Sequence, residues 1–191
     1  LYAPKGEKII GINGSGHAPM AASADWFRER GINEIPLIHS PHCVTVPGAV
    51  DAWTLMVERF GTRDFGSLLQ PAIRYAEQGF VVAPRVGYDW RNNEEKLRHD
   101  PHTAATYLPA GRAPVAGEVM RFPALGATLR TIAREGRDGF YKGRVAEDIV
   151  NRLRALGGLH TLDDFARTKT EVVPSLSSTY KGFDVHQCPP N

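Results

Sequence analysis

TVPGAVDAWTLMVERFGTRDFGSLLQPAIRYAEQGF, residues Thr45–Phe80, carries the reading that decides the fold. Val46-Pro47-Gly48 stops any helix arriving from upstream, because proline lacks the amide N–H and biases the preceding residue toward extended backbone. Past that stop, Val50, Trp53, Met56, Val57 and Phe60 recur at the spacing of one apolar helical stripe, and Gly61 ends it. Asp64 stands where an N-cap belongs. Phe65, Leu68, Leu69, Ala72, Ile73 and Ala76 then form a second stripe, and Gly79 follows as a C′ glycine. The reading is an αα-hairpin whose two stripes need a common partner to cover them.

Upstream, Lys8–Asn13 (KIIGIN) is an apolar strand running into the glycine-punctuated turn Gly14-Ser15-Gly16-His17-Ala18-Pro19. Ser23 caps a short helix over 24–30, stopped by Gly31. Prolines 36, 41 and 47 keep the next segment extended, with a strand around Cys43–Val46. Downstream, Pro84 suits the first position of a helix reaching about Leu97. Asp100-Pro101 opens another, and residues 109–117 are a loop rich in turn residues. Helices are expected from Pro123 and over 144–156, with 136–143 as a tight connection and Gly157-Gly158 as the stop. Thr161 and Asp164 have the layout of a capping box. The tail reads as two strands, one holding Val172, Val173 and Leu176, the other Phe183 and Val185, separated by Ser177-Ser178-Thr179 and Gly182.

The 191 residues carry 23 basic and 21 acidic side chains in an interspersed pattern, a net charge of +2. No basic stripe appears, which argues against a nucleic-acid partner. No apolar run reaches the roughly 20 residues of a membrane span. Cys43 and Cys188 are too few for a disulfide framework and leave the compartment open between cytoplasm and periplasm. Leu1 in place of an initiator methionine, and an end at Cys188-Pro189-Pro190-Asn191, are read as a piece of a longer polypeptide.

Candidate chemistry is sparse. His39-Ser40-Pro41-His42-Cys43 has metal-ligating side chains but no second ligand pair at finger-like spacing, so no metal is assigned. Ser15 lies in a strand-to-helix turn, yet Asn13 and His17 break the G-x-S-x-G pattern of a nucleophile elbow. The glycines at 11, 14 and 16 do not make a dinucleotide or phosphate loop, and no cofactor is expected. His99 and His102 read as cap-region residues, and Asp163-Asp164 as a charge pair at a helix N-terminus.

Ordered along the chain are Asn13–Pro19 with Ala21-Ala22, Val46-Pro47-Gly48 with Trp53 and Phe60-Gly61, and Pro71-Ala72-Ile73 with Ala76-Glu77 and Gly79-Phe80. Tyr107-Leu108-Pro109, Pro123-Ala124-Leu125, Gly139-Phe140-Tyr141-Lys142-Gly143, Gly157-Gly158 with Thr161–Phe165, and Tyr180-Lys181-Gly182 continue the series. This set resembles the large-subunit region of the gamma-glutamyltranspeptidase family of N-terminal-nucleophile hydrolases, with 71–80 the most specific match.

The resemblance implies an α/β (α+β) fold, the helix-rich portion of a four-layer αββα sandwich. Residues 1–191 would form a single partial domain, the middle and C-terminal part of the large subunit. It further implies a zymogen-like precursor that cuts itself, and transferase or hydrolase chemistry of the glutathione-metabolism type on a γ-glutamyl amide. The nucleophile is a threonine at the head of the small subunit, the expected partner, so no catalytic residue is assigned to this chain. Family members carry an arginine in the turn before Ala-Pro to clamp the glutamyl α-carboxylate. Counting back from Ala18-Pro19, that position is Ser15, which donates one hydrogen bond and carries no charge. Ser15 and His17 are therefore the candidate substrate-binding residues, and the turn is closer to members acting on other amides, of oxamate amidohydrolase or cephalosporin-acylase type. A non-catalytic scaffold is the remaining alternative.

Overall fold

The computed structural model describes residues 2–3 and 8–190; residue 1, residues 4–7 and residue 191 of the expected 1–191 segment lie outside the described residues. In chain order the elements are β1 (Tyr2–Ala3), β2 (Lys8–Asn13), α1 (Ala24–Arg28), α2 (Ala49–Phe60), α3 (Phe65–Gln78), β3 (Phe80–Val81), α4 (Pro84–Asn92), α5 (Glu94–Arg98) and α6 (Pro101–Tyr107). Then follow β4 (Val119–Met120), α7 (Pro123–Glu135), α8 (Asp138–Tyr141), α9 (Gly143–Ala155), α10 (Leu162–Arg167), β5 (Glu171–Pro174), β6 (Leu176–Tyr180) and β7 (Phe183–Gln187).

The backbone divides into two compact units, Leu1–Asp64 with Glu135–Asn191, and Phe65–Arg134. That boundary falls between α2 and α3, so the two helices read as one hairpin belong to different units. In the first unit β2 pairs antiparallel with β1 and with β5, in a register that sets Gly11 opposite Val173 and Asn13 opposite Glu171. Its interior is built from Val46, Val50, Ala52, Tyr141, Val145, Ala146, Val150 and Phe165. The stripe expected on α2 is only partly covered: Trp53 is 42% exposed, and the buried positions are Val50, Asp51 and Ala52 in the first turn. The capping box at α10 is present, with the Thr161 hydroxyl accepting from the Asp164 amide and the Asp164 carboxylate accepting from the Thr161 amide. Cys43–Val46 is not a strand. Pro41–Cys43 forms a 3-10 turn, because Ser40 caps it through the His42 amide, and Val46 alone makes a bridge, to His17.

The tail holds three strands rather than two. Ser177, Ser178 and Thr179 do not separate strands; they lie inside β6, which pairs antiparallel with β7 around Lys181-Gly182. Both turn residues have positive φ, 49° and 80°, the backbone of a type I′ hairpin turn. Cross-strand pairs share a face, so Leu176, Tyr180, Phe183 and Val185 stand together on one side and Ser177, Thr179, Asp184 and His186 on the other. The apolar side is open, with Phe183 76% exposed.

In the second unit α3 buries Leu69, Ile73 and Ala76. Its Pro71 lies inside the helix, where it removes one backbone hydrogen bond. Glu77 takes Arg130 of α7 in a bidentate pair, both contacts at 2.5 Å, and the Phe122 amide donates to the Ala76 carbonyl at 2.7 Å. The helix expected from Pro84 to Leu97 is broken at Asn93 into α4 and α5.

Candidate functional site

The turn after β2 is shaped by three glycines. Gly16 has φ +86°, and a Cβ there would lie 1.8 Å from the Val46 carbonyl oxygen. A Cβ on Gly48 would lie 2.4 Å from the Gly14 carbonyl oxygen, and one on Gly14 would lie 2.4 Å from Ala52 Cβ. Two backbone segments therefore cross in contact, which only residues without side chains permit. The Val46 amide donates to the His17 carbonyl at 2.8 Å, and the Ser15 amide donates to Asn13 Oδ1 at 3.2 Å, an Asx-type turn. The Val46-Pro47-Gly48 stop of the opening stretch is thus the surface on which the turn is seated.

Two concavities flank this turn, and they separate the two sequence candidates. His17 lines a small cleft of about 150 Å³, together with Asn13, Gly14, Gly16, Gly48 and the wall 168–171. Ser15 is exposed and lines a wider one of about 520 Å³ with Ile12, Asn13, Leu176, Gln187 and Cys188. Asn13 borders both.

His17 is half-buried, with Nδ1 3.0 Å from the Ala18 carbonyl and Nε2 3.5 Å from Thr168 Oγ1. A carbonyl only accepts, so Nδ1 donates in that contact. The Thr168 hydroxyl donates to the Asp164 carbonyl at 3.1 Å. These contacts hold the His17 ring against the 168–171 wall of the cleft. Lys169 and Glu171 add one cation and one anion to the opposite wall. Periodicity gives no sign of this wall, because only the pairing of β2 with β5 brings it to the turn.

The supports of the site are buried polar groups. Asp164 is 2% exposed and accepts from the Met20 amide at 3.0 Å as well as from Thr161. Burial pushes its carboxyl up, but these bonds outweigh burial and hold it below its ordinary 3.8. Asp163, beside it, is an exposed partner of Arg167, so the expected charge pair divides into a surface ion pair and a structural cap. Asp51 accepts from the Thr170 amide at 2.6 Å and pairs with Arg137. Burial again pushes the carboxyl up and the Thr170 and Arg137 contacts carry it lower. His160 is 1% exposed; its Nε2 donates to the Val44 carbonyl at 2.9 Å and its Nδ1 has no partner. Burial pushes its pKa below 6.5.

His42 packs between Trp26 and Phe27, with ring centroids 5.4 and 5.3 Å apart, while Cys43 Sγ donates to the Ser40 carbonyl at 3.0 Å. Among the described residues no three His, Cys, Asp or Glu side chains are grouped as a metal site requires, and no helix is long and apolar enough to cross a membrane. His99 follows α5 and His102 lies in the first turn of α6, in the other unit.

A sequence profile described as gamma-glutamyltranspeptidase matches residues 1–191. The chain is 36% identical to the glutathione hydrolase-like YwrD proenzyme of Bacillus subtilis over 94% of its own length and 34% of that protein. It is 37% identical to the oxamate amidohydrolase proenzyme of Klebsiella pneumoniae, over 86% of this chain and 31% of that one. The chain therefore spans about a third of the length of the curated relatives it matches. The crystal structure of cephalosporin acylase from Bacillus halodurans superposes with a TM-score of 0.90 at 35% identity, covering 96% of this chain and 35% of that chain. The helix-rich, mixed α/β fold expected for the chain is borne out by that superposition.

Proposed function

The chain belongs to the gamma-glutamyltranspeptidase family, and from that premise we propose that it is the middle and C-terminal part of the large subunit of a self-cleaving amidase. The resemblance assigns the nucleophile to a threonine at the head of a small subunit. Its hydroxyl oxygen attacks the amide carbonyl while its own α-amine takes the proton. The resulting α-ammonium gives that proton to the substrate nitrogen, which leaves as an amine; an acyl-enzyme ester remains, and water or a second amine resolves it, giving hydrolysis or transfer. This chain contributes substrate recognition at the Asn13–His17 turn.

A γ-glutamyl group is the family's usual acyl donor. The character of the turn favours another amide for this chain. Where a clamp for an α-carboxylate calls for a charged bidentate donor, the turn presents the single, uncharged hydroxyl of Ser15. A turn without that charged fork suits an acyl group other than γ-glutamyl, and the relatives include an oxamate amidohydrolase proenzyme and a cephalosporin acylase. The open apolar side of the β6–β7 ribbon supports a protein partner on this unit, and we assign that partner to the rest of the same precursor.

Production of the full-length precursor tests this. Mass spectrometry is expected to give two fragments, the smaller beginning with threonine. Turnover of the purified pair on a panel of γ-glutamyl, glutaryl and oxamoyl amides is expected to be greatest off the γ-glutamyl members. A single uncut chain without amidase activity on any of them would leave the scaffold reading in its place.

A further inference from the structure

Asp51 is a buried carboxylate that the chemistry above does not use. Its Oδ2 accepts the Thr170 amide at 2.6 Å, and its Oδ1 pairs with Arg137 Nε. The same guanidinium reaches on, with Nη2 donating to the Ala166 carbonyl at 3.3 Å and to the Thr168 carbonyl. Tyr141, 1% exposed, lies under the guanidinium at 4.7 Å; its hydroxyl donates to the Pro47 carbonyl at 2.6 Å and accepts from the Asp51 amide at 3.2 Å.

These contacts end on the two walls of the cleft at His17. One wall is 168–171, held at Thr168 and Thr170. The other is Gly48, which directly follows Pro47 and whose backbone lies against Gly14 and Gly16, so it carries the turn. A buried ion pair adds little stability compared with apolar packing of the same volume. What it does supply is a defined geometry, since a planar guanidinium fixes the directions of its donors. We propose that Asp51, Arg137 and Tyr141 form a positioning brace that sets the separation of the two cleft walls, and with it the placement of the bound amide rather than the bond-breaking step.

The effect on substrate rests on the amidase reading; the brace itself does not, which lets one experiment separate them. In the full-length precursor, D51N keeps an oxygen for the Thr170 amide but loses the charge that holds Arg137. It is expected to speed hydrogen exchange at 168–171 by about tenfold, and to raise KM for the amide the wild type turns over by about tenfold, with kcat within about twofold. R137K keeps the charge without the fork and is expected to match D51N. Y141F removes one oxygen and is expected to speed exchange at the Asp51 amide and at 46–48. Should D51N not fold, Y141F carries the test. A fall in Tm with exchange raised evenly across the unit and KM unchanged would reduce the three residues to ordinary core and overturn the brace. If the wild type cleaves no amide, the functional reading fails and local exchange alone decides the brace.

Discussion

Ser15 carries no charge, and under the proposed function it is the position at which specificity answers to a single substitution. S15R restores the charged fork that a carboxylate clamp needs, and is expected to lower KM for a γ-glutamyl anilide about tenfold. An unchanged KM in steady-state kinetics would place the clamp elsewhere. Gly16 is the opposite kind of position. With φ +86° and an added Cβ 1.8 Å from a carbonyl oxygen, G16A is expected to destabilise by on the order of 3 kcal/mol, read from a denaturant midpoint. His160 titrates in a third way. Its folded pKa lies below 6.5, so the unfolded chain binds the extra proton first. The stability contributed by the neutral ring is complete above pH 6.5 and declines as pH falls from there toward the folded value. Asp51 and Asp164 are depressed carboxyls, so their contribution is complete above 3.8 and is lost as pH falls through their folded values. Denaturant midpoints measured at a series of pH values are expected to fall as pH drops below 6.5 and again in the carboxylate range, and H160Q is expected to remove the first fall.

Elements were legible in the sequence where local chemistry marks their ends. Ser23, Asp100 and Thr161 start helices by capping through their side chains, Pro123 stands at the first position of another, and Gly61, Gly79 and Gly157 stop them. The readings that differ have separate causes. Ser177–Thr179 looked like a break, yet alternate positions of β6 simply face the polar side of a ribbon. Asp51 lies off the apolar stripe of α2, yet it is buried together with Val50 and Ala52 while Trp53 is open. Ser15 and His17 were visible as residues, but their separation into two concavities and the 168–171 wall come from strand pairing, which no local pattern records. The hairpin turn gives a test at this scale. Lys181 adopts φ 49°, strained for a residue with a Cβ, whereas Asn-Gly is the preferred type I′ pair. K181N is expected to stabilise the ribbon by about 1 kcal/mol, seen as a rise in denaturant midpoint.

At the scale of the molecule, the open side of that ribbon bears on what the chain does alone. Leu176, Tyr180, Phe183 and Val185 present apolar surface on two strands, an arrangement prone to self-association unless covered. Co-expression with the remainder of the precursor is expected to increase soluble yield, and F183K is expected to reduce recovery of the smaller fragment with this chain. Equal recovery would move the contact off the ribbon. The crossing of Gly14 and Gly16 over Gly48 has a different consequence, for anyone who would redesign the cleft. Three of the positions nearest the cleft admit no side chain, so a combinatorial library that randomises the whole loop spends most of its members on chains that do not fold. One that holds 14, 16 and 48 as glycine and varies 15, 17 and 169 searches the same chemistry with nearly all of its members viable.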